Sequence, residues 1–482
     1  MPVDDMAGET RRAEKNWRLA WRGRKHPAIG ARAFLLRRGC VVGLGLCVCM
    51  FPTAFAQKIF QPQSVLNTNA ETDVGDDLPC QVATDFLKTW VAVWNSTDPL
   101  DGTLDSDDNV LFARSVDNGE TWSAPAPLSD NTAVDTESQI NAPHLATDGR
   151  GGWVVVWTAR GRFGIDLDIL AAHSTDNGET WTIPVFVNSN ARLDSQFDDD
   201  SFPRIATDRL GRWMTVWQGV NDANEDVTYY SRSKDNGAHW TMRLSPGSGG
   251  DELGGLPDVS VDAGRNWVVV WSTAFTNESQ FGGDLEIVAA RTSNFGTTWS
   301  GPQVLNLDAS TDAPFDDDFW ARIASAGKAK FVVVWARRFV GFGGGADAAQ
   351  ILTSRSTDGG ASWTHPDQLD KAHTDTQDSV AFPEIASDGR STFSAVWQHN
   401  RRIANPTPDR FDIFISVSRN IGATWTAPSQ VNRSTDREDG FNGLPDIATD
   451  RSNRSIVTWT SNIVLRSRDL VGDFDIHYAP DF

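Results

Sequence analysis

The chain has 482 residues, 39% hydrophobic and 22% charged, and its 64 Asp+Glu against 43 Lys+Arg give a formal net charge of −21. This charge repels nucleic acid and anionic membrane surfaces, so it argues against both as partners. Four cysteines, three of them before residue 50, leave no disulfide framework, structural zinc site or Cys-His pair for the rest of the chain.

The first 56 residues differ from the remainder. Two arginines precede an apolar run that ends in Ala54-Phe55-Ala56, a small-x-small cleavage signal. We predict a leader and signal peptide over 1–56 and a mature chain over 57–482, secreted or periplasmic. The apolar run is short for a membrane span, which favours cleavage over retention as an anchor. The leader holds 10 Lys+Arg and 4 Asp+Glu, so the mature chain has 33 bases, 60 acids and a net charge of −27.

A hairpin pattern recurs seven times along the mature chain. One copy reads Phe202-Pro203-Arg204-Ile205-Ala206-Thr207-Asp208 and then Trp213-Met214-Thr215-Val216-Trp217. Alternating apolar residues around a short polar turn predict two antiparallel strands. The closing tryptophan recurs at Trp94, Trp157, Trp217, Trp271, Trp335, Trp397 and Trp459.

Each of the first six hairpins is followed by a variable loop, a third strand and an eight-residue frame. The clearest copy, from Ser174 to Trp181, is Ser-Thr-Asp-Asn-Gly-Glu-Thr-Trp. Its Asp accepts backbone N–H groups, its Gly permits positive φ, and its Trp packs beneath the turn. A fourth strand follows. The other copies are Ser115 to Trp122, Ser233 to Trp240, Thr292 to Trp299, Ser356 to Trp363 and Ser418 to Trp425.

Four strands in roughly every 60 residues are typical of a β-propeller blade. The seventh unit ends after its third strand, and the segment from Phe60 to Asn67 reads like the fourth strand from Trp299 to Asn306. We therefore predict an all-β, seven-bladed β-propeller with four-stranded antiparallel blades. The N-terminal strand completes the last blade and closes the ring, which removes a free sheet edge.

The eight-residue frame is the Asp box, or BNR repeat, and residues 57–482 resemble Asp-box β-propellers of the sialidase superfamily. The resemblance implies the fold strongly and activity weakly, because Asp boxes also occur in secreted propellers that are not sialidases. Sialidase domains have six blades, a Tyr nucleophile activated by Glu, an Asp acid/base and three arginines that hold the substrate carboxylate. Here Phe202-Pro203-Arg204-Ile205 is similar to the first arginine motif in a different order, and Arg322 is a candidate second arginine.

The tyrosines do not fit that mechanism. The chain has three, Tyr229, Tyr230 and Tyr478, and all fall on predicted third strands rather than on loops. A Tyr nucleophile is therefore disfavoured, while hydrolysis by a pair of carboxyl groups stays open. With 60 acids in the mature chain, the sequence does not single out such a pair.

A ring of polar residues is predicted at the channel mouth, the face of the propeller that carries the second-to-third loops and the loops between blades. One polar residue precedes an Ile, Val or Leu at the start of each innermost strand. The ring is either a ligand site or a self-satisfied polar lining of a water-filled channel. Its members are Gln81, His144, Arg204, Asp258, Arg322, Glu384 and Asp446.

Two acidic loops precede the ring arginines. Asp198, Asp199 and Asp200 come before Arg204, and Asp316, Asp317 and Asp318 come before Arg322. Clustered carboxylates suit Ca²⁺, the one cofactor indicated, although none is required. Ion pairing between each loop and its following arginine is the favoured alternative.

Two further groups on the mouth face are candidates for binding. Trp320 is the one tryptophan of the mature chain outside the repeat pattern, and it is interpreted as a sugar-stacking platform or, preferably, as packing between blades. Arginines of the second-to-third loops either grip an anionic glycan or partner carboxylate, or pair with the acidic loops. They are Arg160, Arg162, Arg337, Arg338, Arg401 and Arg402.

We predict from these features a secreted, monomeric scaffold that binds a glycan or an extracellular protein through the channel mouth. The alternative is an exo-sialidase-like glycoside hydrolase that cleaves terminal sugars.

Overall fold

The structure is a computed structural model. It describes residues 57–73, 75–100, 104, 108–128, 135–161, 166–189, 199–221, 225–246, 254–274, 285–306, 317–339, 348–370, 379–401, 410–432, 441–463 and 473–482. They belong to a compact unit, Phe55–Phe482, while a separate unit, Met1–Ala54, and with it the predicted leader and signal peptide, lies outside the described residues. In the described ranges no helix has the length and apolar character needed to cross a membrane.

The predicted seven-bladed β-propeller is confirmed, because the strands in the described ranges form seven antiparallel sheets. Each blade runs from an inner strand to an outer one. The strands are β1 Ser64–Val65, β2 Asp77–Thr84, β3 Trp90–Ser96, β4 Asn109–Ser115, β5 Ala126–Pro127, β6 Asp135–Thr147, β7 Trp153–Gly161, β8 Leu167–Ser174, β9 Val185–Phe186, β10 Ser201–Thr207, β11 Trp213–Val220, β12 Asp226–Ser233, β13 Gly255–Val261, β14 Trp267–Ala274, β15 Leu285–Thr292, β16 Gln303–Val304, β17 Asp317–Ala326, β18 Lys330–Phe339, β19 Ala348–Ser356, β20 Asp367–Gln368, β21 Ser379–Ser387, β22 Phe393–Arg401, β23 Arg410–Ser418, β24 Ser429–Gln430, β25 Asn442–Thr449, β26 Ser455–Ser461 and β27 Asp475–Pro480.

The third blade departs from the four-stranded pattern. It has β10, β11 and β12, and a single bridge between Tyr230 and Leu244 replaces the fourth strand. In other blades the residue after the short fourth strand donates its N–H to the third strand, as Leu128 does to the carbonyl of Val110 at 2.9 Å. Pro246 occupies that position in the third blade and has no N–H to donate, so the ladder stops.

Ring closure also follows the prediction. Strand β1 pairs with β27, with Ser64 opposite Tyr478 and Val65 opposite His477. The N–H of Leu66 donates to the carbonyl of Ile476 at 2.7 Å. Next to this ladder, Lys58 Nζ lies 2.5 Å from an Asp481 carboxylate oxygen, and both side chains are at most 5% exposed. The first and last described strands therefore share one sheet.

The core lies between neighbouring blades. The recurring tryptophan within each second strand is buried, and one apolar cluster joins Trp94 and Trp90 of the first blade to Ile456 and Tyr478 of the last. Large buried aromatic side chains contribute most of the apolar area removed from water in such a cluster. Each blade is therefore stabilised mainly by its neighbours.

The six Asp boxes fasten the first six blades each to its preceding neighbour around the ring, as Gly119 of the first blade lies against Ile456 of the seventh. In the second blade Ser174 Oγ donates to Asp176 Oδ1 at 2.7 Å, and the N–H of Thr180 donates to the same oxygen at 2.9 Å. Slight burial acts to raise the pKa of Asp176, but hydrogen bonds from the hydroxyl and N–H of Thr180 outweigh it and lower this pKa to about 2. Gly178 has φ +77°, and a Cβ there would lie 2.9 Å from Val91 of the first blade.

Two faces can be distinguished. The inner hairpin turns and the Asp boxes share one of them, since the N–H of Asn177 in an Asp box donates to the carbonyl of Gly151 in a hairpin turn at 3.0 Å. We call this the turn face. The inner strands begin at the opposite end, the mouth face, where the predicted polar ring belongs.

Candidate functional site at the channel mouth

Every described inner strand bulges just before its ring residue. In β17, for example, the register moves from Phe319 opposite Ala336 directly to Arg322 opposite Val334. The bulge places a bulky residue at positive φ two positions before the ring residue in five blades. These residues are Phe202 (53°), Leu256 (55°), Trp320 (55°), Phe382 (50°) and Leu444 (53°). Such a conformation is costly for a large side chain and is often found at functional sites.

Three ring residues accept hydrogen bonds from the next blade. His144 Nδ1 accepts from the N–H of Ile205 at 3.2 Å, Asp258 Oδ2 from Ile323 at 2.8 Å, and Asp446 Oδ2 from Val82 at 2.7 Å. Burial, with added repulsion from Arg204 and Arg322, holds the pKa of His144 well below its usual value. The imidazole is therefore neutral, and its Nδ1 can accept a hydrogen bond. These three residues join blades to one another.

The other four ring residues form a central ion-pair cluster of Arg204, Arg322, Glu384 and Gln81. Glu384 Oε1 accepts from Arg204 at 2.8 Å and from Arg322 Nε at 2.8 Å. Arg204 also donates to Gln81 Oε1 at 3.2 Å. The members come from the third, fifth, sixth and first blades, so the cluster spans the channel. These residues satisfy one another's hydrogen bonds, as the second interpretation of the ring predicts. A ligand that binds there must therefore displace some of these bonds.

The carboxyl groups of the ring differ in their ionisation. Burial, then repulsion from Glu384, raises the pKa of Asp446 to about 7. Burial also raises the pKa of Asp258, against the opposing attraction of Arg204 and Arg322. Burial opposes the charge of Arg204, but Glu384 and the two aspartates together raise its pKa. Around neutral pH the ring therefore contains a carboxyl group that can give up a proton.

An aromatic surface lies beside the ring at the mouth. The rings of Trp320 and Phe382 stack with centroids 4.3 Å apart and an interplanar angle of 26°. Phe319 meets Trp320 edge-on at 4.6 Å, while Phe202 is 45% exposed. We call Trp320 and Phe382 the mouth platform. Both are partly exposed, so Trp320 combines packing between two blades with an accessible surface.

The acidic loop of the fifth blade is held by arginines of the neighbouring strand β18, rather than by Arg322 as expected. Asp318 accepts from Arg337 Nε at 2.8 Å and from the indole of Trp335 at 2.9 Å, and Asp317 pairs with Arg338 at 3.0 Å. Arg322 pairs with Glu384 instead. Ion pairing thus describes this loop, but its partners are the arginines of the second strand.

The loop of the third blade is held mainly by neutral donors. Asp200 accepts from the indole of Trp217 at 2.8 Å and from Asn188 at 2.9 Å, and Asp199 accepts from the N–H of Leu167 at 2.9 Å. These contacts fix the loop to the blade. Asp198 and Asp316, the remaining members of the predicted Ca²⁺ loops, lie outside the described residues.

The other predicted loop arginines are only partly described. Arg160 is half-buried at the end of β7, and Arg401 is the last residue of β22, with its side chain outside the described part. Arg162 and Arg402 lie outside it altogether. The binding role expected of these four arginines therefore stays a prediction.

A further cluster of carboxylates, which the sequence did not predict, lies at the ring closure. Asp73, Asp77 and Asp475 are buried, and each offers an oxygen within 4.8 Å of the others, close enough to hold a metal ion. Asn67 donates to Asp77 at 2.7 Å and to Asp475 at 2.8 Å. Burial raises the pKa of Asp73 to about 6. Ring closure brings these residues together from opposite ends of the chain, which no local motif signals.

No known protein-family description matches the chain. A sialidase from Paraclostridium sordellii is 25% identical over 156 residues, which cover 28% of this chain and 38% of that sialidase. The chain is similar to a sialidase. This confirms the resemblance inferred from the Asp boxes, although the chain spans well under half of the length of that relative.

Two solved structures are also similar. A Hadza microbial sialidase has 14% identity and a TM-score of 0.44, covering 78% of this chain and 73% of that one. An α-L-arabinofuranosidase from Fusarium graminearum has 12% identity and a TM-score of 0.46, covering 71% and 92%. These scores are too low to carry the fold assignment, which rests on the seven blades themselves.

Proposed function

We propose that the mature chain is a secreted, monomeric carbohydrate-binding protein that holds a sugar ring on the mouth platform. The observation that carries this proposal is the partly exposed stack of Trp320 on Phe382 beside the polar ring. Sugars present apolar C–H faces and hydroxyl edges, so they suit an aromatic surface with a few polar groups close by. The sequence similarity to a sialidase over 156 residues supports the same ligand class.

The tyrosines favour binding over sialidase-type hydrolysis. Tyr230 is buried and its hydroxyl donates to the carbonyl of Gly296 at 2.7 Å. Tyr229 faces Trp217 on the third strand of its blade, and Tyr478 pairs with Ser64 at the ring closure. These are all the tyrosines of the chain. None is placed to attack a sugar held over Arg204 and Arg322.

A glycan array with the purified protein identifies the ligand, and titration calorimetry then measures its affinity. Trp320→Ala removes the stacking surface, so we expect the dissociation constant to rise about tenfold, equivalent to about 1.4 kcal/mol. Leu87→Ala is the control, because Leu87 is 69% exposed in a hairpin turn of the opposite face. Near-ultraviolet circular dichroism confirms that both variants fold. Unchanged affinity in Trp320→Ala would contradict the proposal.

Glycoside hydrolysis by a carboxyl pair is a second candidate, favoured by Asp446. Its pKa of about 7 matches the requirement for a general acid, and the charge of Glu384 contributes to that shift. The test is turnover of fluorogenic sialosides and neutral glycosides. Turnover that disappears in Asp446→Asn, with folding and glycan binding retained, would establish the hydrolase and replace the binding-only function.

A further inference from the structure

The turn face carries a basic residue in each of its seven inner hairpin turns. These turns join the first and second strands of the blades, for example between β2 and β3 and between β25 and β26. We call the seven side chains the turn ring. Its members are Lys88, Arg150, Arg209, Arg265, Lys328, Arg390 and Arg451.

The turn ring is open to solvent. Six members are exposed, and only Arg209 is half-buried. In the part of the chain that the structure describes, no ion pair joins any of the seven to a carboxylate. Acidic residues of the same turns accept backbone N–H groups of those turns instead. Asp388 Oδ1, for example, accepts the N–H groups of Arg390 and Thr392 at 2.8 and 3.0 Å.

The turns are packed against one another around the channel axis. The N–H of Ala263 donates to the carbonyl of Gly327 at 2.6 Å, and that of Gly327 donates to Gly389 at 3.0 Å, which links the turns of the fourth, fifth and sixth blades. The seven turns occupy equivalent positions in the seven blades, so their basic residues are arranged around the axis of the propeller. Repulsion among them raises the cost of leaving the ring without an anion.

Arg209 and Arg451 share one aromatic contact. The guanidinium of Arg209 lies 3.8 Å from the ring centroid of Phe86, and that of Arg451 lies 5.5 Å from the same centroid. The two arginines belong to the third and seventh blades and meet over a residue of the first. Burial, then the charge of Arg451, lowers the pKa of Arg209 to about 10, against a smaller opposing effect of Asp148. The guanidinium of Arg209 therefore remains charged at neutral pH.

The ring contrasts with the rest of the molecule. The mature chain has a net charge of −27, and the Asp-box carboxylates such as Asp176 and Asp358 are exposed on the same face. Those carboxylates, however, lie between the third and fourth strands, farther from the axis. An anion is therefore attracted to the centre of this face and repelled from its edge.

We propose that the turn ring binds a tetrahedral oxyanion, a sulfate or phosphate group, with Arg209 and Arg451 as its anchors. Guanidinium groups form paired hydrogen bonds with such anions and keep their charge at all relevant pH values. Cations that surround one axis can meet several oxygens at once, which fits a tetrahedral group better than a planar carboxylate. The site is on the face opposite the mouth platform, so it is separate from the proposed sugar site.

Titration calorimetry of the purified protein with inorganic sulfate, inorganic phosphate and a sulfated disaccharide, at constant ionic strength, tests the proposal. We expect saturable binding of all three. Tighter binding of the disaccharide identifies a sulfated glycan as the source of the group, and equal binding identifies the free anion. Absence of saturable binding by any of them would overturn the inference.

Variants test the location. Arg451→Gln should weaken binding at least fivefold, and Arg209→Gln with Arg451→Gln at least twentyfold. Lys234→Gln is the matched control, because Lys234 is exposed in an Asp box of the same face and loses the same charge. An equal loss of affinity in Lys234→Gln, or equally tight binding of a short DNA duplex, would show that anions are attracted only by general electrostatics. Either result would refute a specific site at the turn ring.

Discussion

Glu384→Gln removes the one carboxylate shared by the two central arginines. Glu384 Oε1 accepts from Arg204 and from Arg322 at 2.8 Å each, and all three side chains are 13–14% exposed. Gln preserves the shape of the side chain but not its charge. Both guanidiniums then stay in the channel without their counter-ion.

The expected loss of stability is large. Removing one partner of a buried ion pair costs about 3–5 kcal/mol. A second charge-assisted hydrogen bond is worth about 1.5–3 kcal/mol, but both bonds use one oxygen and do not add independently. The side chains also retain some access to water, which screens their charges. We therefore expect the free energy of unfolding to fall by about 4 kcal/mol.

Urea unfolding followed by tryptophan fluorescence measures this change. Glu120→Gln is the control, because Glu120 is exposed in an Asp box and its loss should change stability by less than about 0.5 kcal/mol. Glu384→Gln should also lower the pKa of Asp446, since the charge of Glu384 is a cause of its elevation. A loss below about 1 kcal/mol would refute the argument that the central cluster ties the blades together.

Three further predictions concern stability. Because burial raises the pKa of Asp446 from the model-peptide value to about 7, the folded state binds this proton more tightly than the unfolded state, and stability should fall as pH rises from about 4 to 7. Asp446→Asn should flatten that fall by up to about 4 kcal/mol in urea titrations across this range, and an unchanged profile would contradict it. Lys58→Met leaves the Asp481 carboxylate buried without its cation and should cost about 3 kcal/mol, part of which Asp481→Asn in the same chain should restore. Gly178→Ala should cost about 2 kcal/mol more than Gly211→Ala by thermal unfolding, because both glycines have positive φ but only the first meets another blade; equal losses would remove the packing argument.

The sequence by itself determined the number of blades, the closure of the ring and the two faces. All seven blades repeat a tryptophan in the second strand, and the first six repeat an Asp box after the third. These signals act over a few residues, so they can be recognised without knowing the neighbours. The third blade lacks the predicted fourth strand for a reason that is also local, because Pro246 cannot donate the N–H that other blades use.

Only the tertiary structure decided which charged groups meet. Glu384 receives Arg204 from 180 residues away, and Asp475 joins Asp77 because the first strand completes the last blade. Many carboxylates were equivalent candidates in the sequence, and distance along the chain says nothing about distance across a channel. The ion pairs across the channel depend on the closed ring, because the arrangement of the seven blades sets which charged side chains lie within contact distance.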